Sequence, residues 1–184
     1  MNWTNKKISA LVESDRAHRK AYVDSDLFEL EMERIFERLW VYIGHESQVK
    51  HPGDYYLAQV GRQPMVMTRD QNGDIHILFN RCPHRGAQLC SARKGNVGRR
   101  IRCSYHAWMF NLDGTLENIP AADGYDGTGF TLNKQEFHVK KAPRAQNYRG
   151  FWFASLANEG PDLETHLGYA KTAFDQLIDI FSAL

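Results

Sequence analysis

Two short clusters of soft metal-binding side chains, Cys82-Pro83-His84 and Cys103-Ser104-Tyr105-His106, constrain this 184-residue chain more than any other feature. As a pattern they read C-x-H, eighteen intervening residues, then C-x-x-H. Each follows a strand-like run, at 75–79 and 100–102. Two neighbouring strand-end loops can therefore present one sulfur and one imidazole each to a shared site. A fold that serves such a site needs short strands, joined by turns and brought side by side. Chance pairing of four soft ligands in this way is improbable.

The rest of the sequence supplies that frame. Asn72-Gly73 is a strong two-residue hairpin signal between the runs 64–69 and 74–80. Gly61-Arg62-Gln63 links 55–60 to 64–69, Asp113-Gly114 separates 108–111 from 115–118, and Arg149-Gly150 splits 139–147 from 151–156. Short strands with regular turns predict a mainly β fold, a small antiparallel sandwich or barrel. Helical segments flank it. Asp24-Ser25-Asp26 offers a cap, and Phe28, Met32, Ile35, Phe36 and Leu39 follow at helical spacing. After Asn158-Glu159-Gly160-Pro161, an apolar stripe of Leu163, Leu167, Ala170, Phe174, Leu177, Ile178 and Phe181 predicts one helix over 162–182. Pro161 suits its first turn, and no later residues are expected to cover the stripe. The expected division is a helical segment at 1–50, a cluster-bearing domain at 51–157 and a trailing segment at 158–184, α+β overall. The glycine-rich stretch 121–131 reads as a loop.

Composition narrows the function classes. With 23 Lys and Arg against 22 Asp and Glu the net charge is +1, which argues against nucleic-acid binding through a broad basic face and against a polybasic membrane binder. A mean hydropathy of -0.54 and the lack of any apolar run of ~20 residues argue against a membrane span. The opening stretch has no apolar signal-like region, so a cytoplasmic, reduced protein is expected. Three cysteines cannot form a disulfide framework, which leaves metal ligation or burial for them.

Two metal chemistries fit the clusters. A structural zinc site accepts two thiolates and two imidazoles, but its ligands usually pair sulfur with sulfur along the chain. A Rieske [2Fe–2S] centre holds one iron on two Cys and the other on two His. Loops that each mix one Cys with one His suit that asymmetry, because each reaches across both irons.

From about residue 22 onward the sequence resembles the N-terminal Rieske portion of the large (α) subunit of bacterial aromatic ring-hydroxylating dioxygenases. The stretches that carry the resemblance are FELEMERIFERLWVYIGHES (28–47), PGDYY (52–56), NRCPHRGAQLC (80–90), CSYHAWMFNLDGTL (103–116) and GFWFASL (150–156). There are two departures: the ligand spacing is a residue or so longer than usual, in a loop around 93–97, and Ala107 stands where the family has Gly. The resemblance implies a [2Fe–2S] cluster on Cys82, His84, Cys103 and His106. Tyr105 and Trp108 flank the last of these and read as supporting it or as packing alone, and Arg81 and Arg85 read as solvated charge or as part of a docking surface. It implies electron delivery to a mononuclear non-heme Fe(II) in a further, catalytic domain. No acidic–His–His set follows residue 156, where His166 stands alone, so that domain is expected to be absent and this chain to pass electrons without hydroxylating. Implied partners are an NAD(P)H-dependent reductase, a ferredoxin, other α subunits and a small β subunit. The alternative is a stand-alone Rieske ferredoxin, a carrier between a reductase and a separate oxygenase.

Two thiolates, rather than four, leave the oxidised cluster roughly neutral, which raises its potential. Respiratory-type Rieske proteins carry two further cysteines where this chain has Ala87 and Tyr105, so no disulfide can join the ligand loops. That predicts a potential near the low end of the Rieske range, about −150 mV. Other candidates are set aside. Cys90 reads as a small buried hydrophobe. His45 and His51, with Glu46 and Asp54 nearby, do not read as an iron triad. His18, His76, His138 and His166 read as surface or pairing residues, and Gly86 and Gly114 as turn glycines.

Overall fold

A computed structural model describes residues 3–182 of the chain, with side chains through residue 180; the side chain of Phe181 in the predicted stripe lies outside these. The chain enters through short helices α1 (Asn5–Ser9), α2 (Lys20–Val23) and α3 (Ser25–Glu31). Asp24 caps α3 as expected, its carboxylate accepting the Leu27 amide at 3.1 Å and the Trp3 indole N–H at 2.9 Å. The helix then passes into a π-helical turn, Met32–Phe36. The predicted apolar stripe is mostly not a core face: Leu27 and Met32 are buried, whereas Phe28, Ile35, Phe36 and Leu39 stay exposed. A π turn adds a residue to the period, so a stripe counted at 3.6 per turn drifts off the buried line.

Ten strands follow, arranged as three antiparallel sheets. The first joins β1 (Val41–His45), β10 (Phe151–Ser155) and β9 (Arg144–Tyr148), in that order. The second has the order β4 (Ile75–Phe79), β3 (Gln63–Arg69), β2 (Asp54–Val60), β5 (Lys94–Asn96). The third is the meander β6 (Arg100–Arg102), β7 (Met109–Asn111), β8 (Leu116–Asn118). The expected hairpins close where their turn residues lie: Val60 faces Gln63, Arg69 faces Ile75, and Phe151 faces Tyr148.

The central strand β3 divides its side chains between two cores. Val66 joins Leu78, Ile101, Phe110 and the buried cysteines on one side; Met65 and Met67 join Ile43, Ile77 and Ala154 on the other. Period-two alternation puts successive residues on opposite faces, and both faces of this strand are covered. Hence its run is apolar at every step from Met65 to Met67. Thr68, also buried, donates its hydroxyl to the Leu112 carbonyl at 2.6 Å and so ties the second sheet to the third.

Several elements differ from expectation. The strand predicted over 139–147 pairs only as β9, and the residues before it lie along β4, with Lys141 bridging Leu78. Strand β5 falls where a plain loop was expected, and the first sheet begins at Val41, pairing with β10. The single trailing helix is two, α4 (Leu163–Leu167) and α5 (Ala170–Ser182), separated at Gly168, whose φ of 48° ends the first. Asp162 is the cap of α4, accepting the Thr165 amide at 2.7 Å, so Pro161 precedes the helix and is not in its first turn. The trailing stripe is also not left uncovered. Leu163, Leu167 and Phe174 pack on Trp40, Phe151 and Phe153, Ile178 is half-buried, and Ala170 and Leu177 are exposed. Tyr148 and Arg149 anchor α5 through Asp175. No helix among the described residues is long and apolar enough to cross a membrane.

Candidate metal centre

Both ligand loops leave the ends of short strands and fold back on themselves. In the first, the Cys82 amide donates to the Ala87 carbonyl at 2.8 Å and the Gly86 amide to the Cys82 carbonyl at 2.9 Å. Gly86 has φ 73°, which a glycine adopts without strain. In the second, the Cys103 amide donates to the Trp108 carbonyl at 2.9 Å and the Ala107 amide to the Cys103 carbonyl at 3.0 Å. The two loops thus use the same pair of closing hydrogen bonds, and each holds its Cys inside and its His nearer the surface. Cys82 and Cys103 are each 2% exposed, whereas His84 and His106 are half-buried.

The geometry sorts the four side chains by element, not by loop. The Cys82 and Cys103 side chains lie in the same buried cluster, and the Cys103 thiol is near enough to act on that of Cys82. The His84 and His106 rings stand 4.7 Å apart, centroid to centroid, at 64°. Burial, the largest influence, pushes the Cys82 thiol up, and the Cys103 thiol adds to the rise; amides of His84 and Arg85 pull the other way. Burial, followed by the neighbouring His106 and Arg85, lowers the His84 imidazole below its ordinary value, a shift that favours the neutral ring.

One atom marks the site as built for something more. His106 Nδ1 is buried with no hydrogen-bond partner. A lone buried imidazole nitrogen costs free energy unless a ligand satisfies it, and an iron ion does so directly. The donor set of two thiols and two imidazoles fits a [2Fe–2S] group. Among the described residues no three His, Cys, Asp or Glu side chains gather as they would round a single ion.

The surrounding residues are placed as follows. The Trp108 indole, 4% exposed, stacks on His84 with planes 2° apart. Tyr105 is 60% exposed and its ring lies 3.8 Å from that of His106. Arg85 is exposed beside His84. Sequence reasoning missed Asn80, buried at the end of β4. Its side chain accepts the Leu89 and Cys90 amides at 3.2 and 2.9 Å and donates to the Cys90 carbonyl at 2.8 Å. An Asn at a strand end reads as a turn former, so no signal in the sequence alone singled it out. Also missed was an aromatic apron, Tyr125, Phe130 and Phe137, packed round Trp108.

The residues set aside stay out of the centre. Cys90 is buried, its thiol pushed up to about 11 by burial. His45 caps a short turn, its Nδ1 accepting the Ser47 amide at 3.2 Å. His76 pairs with Asp70 at 2.9 Å, and His138 meets the Leu132 carbonyl at 3.2 Å.

Antiparallel sheets that end in two mixed Cys/His loops, with thiols inside and imidazoles outside, define an iron–sulfur domain. The chain belongs to the Rieske [2Fe-2S] domain family, whose profile matches residues 39–143. It is 38% identical over 181 residues to the benzene 1,2-dioxygenase subunit alpha of Pseudomonas putida, a match that covers 97% of this chain and 39% of that protein. Its fold matches naphthalene 1,2-dioxygenase from Rhodococcus sp. bound to indole, with TM-score 0.75 and 36% identity over 83% of this chain and 34% of the other. It also matches a quaternary ammonium Rieske monooxygenase in complex with L-carnitine, with TM-score 0.75 and 30% identity over 85% of this chain and 43% of the other. The chain therefore spans about two fifths of the length of the curated relatives it matches.

Proposed function

We propose that Cys82 and Cys103 hold one iron and His84 and His106 the other iron of a Rieske cluster. The chain then serves as the electron-transfer part of an aromatic ring-hydroxylating dioxygenase α subunit. The observation that carries this is the sorting of thiols to the inside and imidazoles to the outside of two loops. When bound, a [2Fe–2S] cluster supplies storage for a single electron. The buried thiols shield the inner iron from water. The half-buried imidazoles leave a second ring nitrogen available near the surface, which can meet an acceptor. Trp108 holds the His84 ring plane, and the charge of Arg85 sits beside it. With Ala87 and Tyr105 where a loop-to-loop disulfide would stand, the expected potential is low, about −150 mV.

In this reading residues 1–50 lead into a Rieske domain at 51–157, and 158–184 begin the link to a catalytic domain holding mononuclear iron. A reductase or ferredoxin would supply electrons, other α subunits and a β subunit would assemble with it, and the setting would be cytoplasmic. The stand-alone ferredoxin has less support, because the α-subunit relatives match through the helices at both ends and not only across the sheets. Iron and acid-labile sulfide analysis, with an EPR spectrum of the dithionite-reduced protein, tests the reading. Two irons, two sulfides and a Rieske spectrum are expected, lost in His84→Ala and in His106→Ala. Retention of the spectrum in both variants overturns the ligand set.

A further inference from the structure

Residues 121–138 run between two buried anchors, Ile119 and Val139, and form a strap laid against Trp108. Among the described residues, every hydrogen bond and ion pair of the strap closes within it. They run from the Gly124 amide on the Ala121 carbonyl to the His138 ring at the Leu132 carbonyl. No polar contact ties the strap to the sheets. Its residues are exposed apart from Tyr125, Phe130, Leu132, Phe137 and His138, and the first four of these pack on the core. The strap is therefore fastened by apolar side chains alone, three of them aromatic. Phe130 and Phe137 pack together at 4.6 Å and meet the Trp108 indole at 6.0 and 6.2 Å, at angles of 65° and 77°. Tyr125 backs Phe130 at 4.7 Å.

Trp108 needs that support. Its indole N–H makes no hydrogen bond to the described residues, whereas those of Trp3 and Trp40 go to Asp24 and to the Pro161 carbonyl. Packing alone therefore sets its plane, and through it the plane of His84, only 2° away. His84 also borders a cavity of about 300 Å³ that it shares with the strap, so the imidazole has room to tilt once the indole moves.

We propose that Phe130 and Phe137 are positioning residues for electron transfer: carried on the strap, they clamp Trp108 and so hold the His84 imidazole in one orientation. This rests on the electron-transfer reading above, in which His84 holds an iron. A side chain that fixes the plane of a ligand ring tunes the metal without touching it. A fixed ring also spares the centre a rearrangement each time it takes up or releases an electron.

EPR spectra of the reduced, cluster-loaded chain test this. Phe130→Ala/Phe137→Ala should broaden the Rieske signal, as His84 samples several planes, and EDTA should strip the cluster roughly tenfold faster. Phe130→Tyr/Phe137→Tyr keeps both rings and should restore the parent line shape and lifetime. Leu132→Ala removes packing from the same strap without taking a ring from Trp108, and should leave the line shape unchanged. Should the double alanine variant fail to load, Phe130→Leu and Phe137→Leu, which keep apolar bulk, are each expected to broaden the signal in part. A parent-like signal in the alanine or leucine variants, no recovery with tyrosine, or equal broadening in Leu132→Ala overturns the clamp and leaves the cluster assignment standing. Lack of a Rieske signal in the parent overturns the electron-transfer reading and the clamp with it.

Discussion

The Trp108 indole lies flat on the His84 imidazole, centroids 4.7 Å apart and planes within 2°. The two residues belong to different loops, so the second loop fixes the plane of an imidazole carried by the first. Trp108 in turn is gripped by Phe110, Phe130 and Phe137. The orientation of His84 is thus set by the domain core as well as by its own backbone.

Trp108→Leu should leave both cysteines in place but free the His84 ring. The cost in stability is about 3 kcal/mol from lost packing. The reduced EPR spectrum should broaden, and the cluster should be lost faster on standing. Trp108→Phe, which keeps a ring to stack, should restore the line shape and most of the lifetime.

Ala107 has φ 56°, a left-handed conformation that its Cβ disfavours. Glycine removes that strain and gives back part of the gain as unfolded-state entropy. Ala107→Gly should therefore stabilise the protein by about 0.5–1 kcal/mol, read as a higher urea midpoint at unchanged slope.

Asn80→Ala should be among the most damaging changes outside the ligands. It strands the Leu89 and Cys90 amides, while the Cys90 carbonyl keeps the Gln88 side-chain donor at 2.9 Å. Two buried unpaired donors cost about 2–4 kcal/mol in total. Asn80→Asp keeps the acceptor for both amides and should fall between the parent and Ala. Urea unfolding of the three proteins checks the order.

Burial works to raise the Asp70 pKa. The His76 ring and the Asp74 and Asn72 amides outweigh it and hold the carboxyl below its ordinary 3.8. A carboxyl lowered on folding stabilises fully above its unfolded value, and the contribution is lost as pH falls through the folded one. Asp70→Asn should thus lower the urea midpoint between pH 5 and 7, with the gap to the parent closing only as pH drops below 3.8.

What the sequence disclosed was what repeats or clusters. Asn72-Gly73 and Arg149-Gly150 declared their hairpins because turn chemistry is local, and the two Cys/His loops pointed to the Rieske family whose profile the chain matches. Strand β5 was hidden, since Lys94-Gly95-Asn96 has no β pattern and pairs because β2 offers it an edge. Asn80 was hidden because its partners, Leu89 and Cys90, come together only once the loop has closed. The trailing stripe misled for the opposite reason. Its cover, Trp40 and Phe153, lies far earlier in the chain, and periodicity reports a face without naming what meets it.

The split allegiance of β3 has an evolutionary consequence. Val66 stands beneath the ligand loops and its neighbours Met65 and Met67 beneath the outer sheet. Inserting or deleting one residue there would exchange the contents of both cores at once. That strand can drift by substitution but not by change of length. The interval between the two Cys/His loops lies outside β3, and its exposed segment around Arg93 runs into the edge strand β5, where a change of length disturbs neither core.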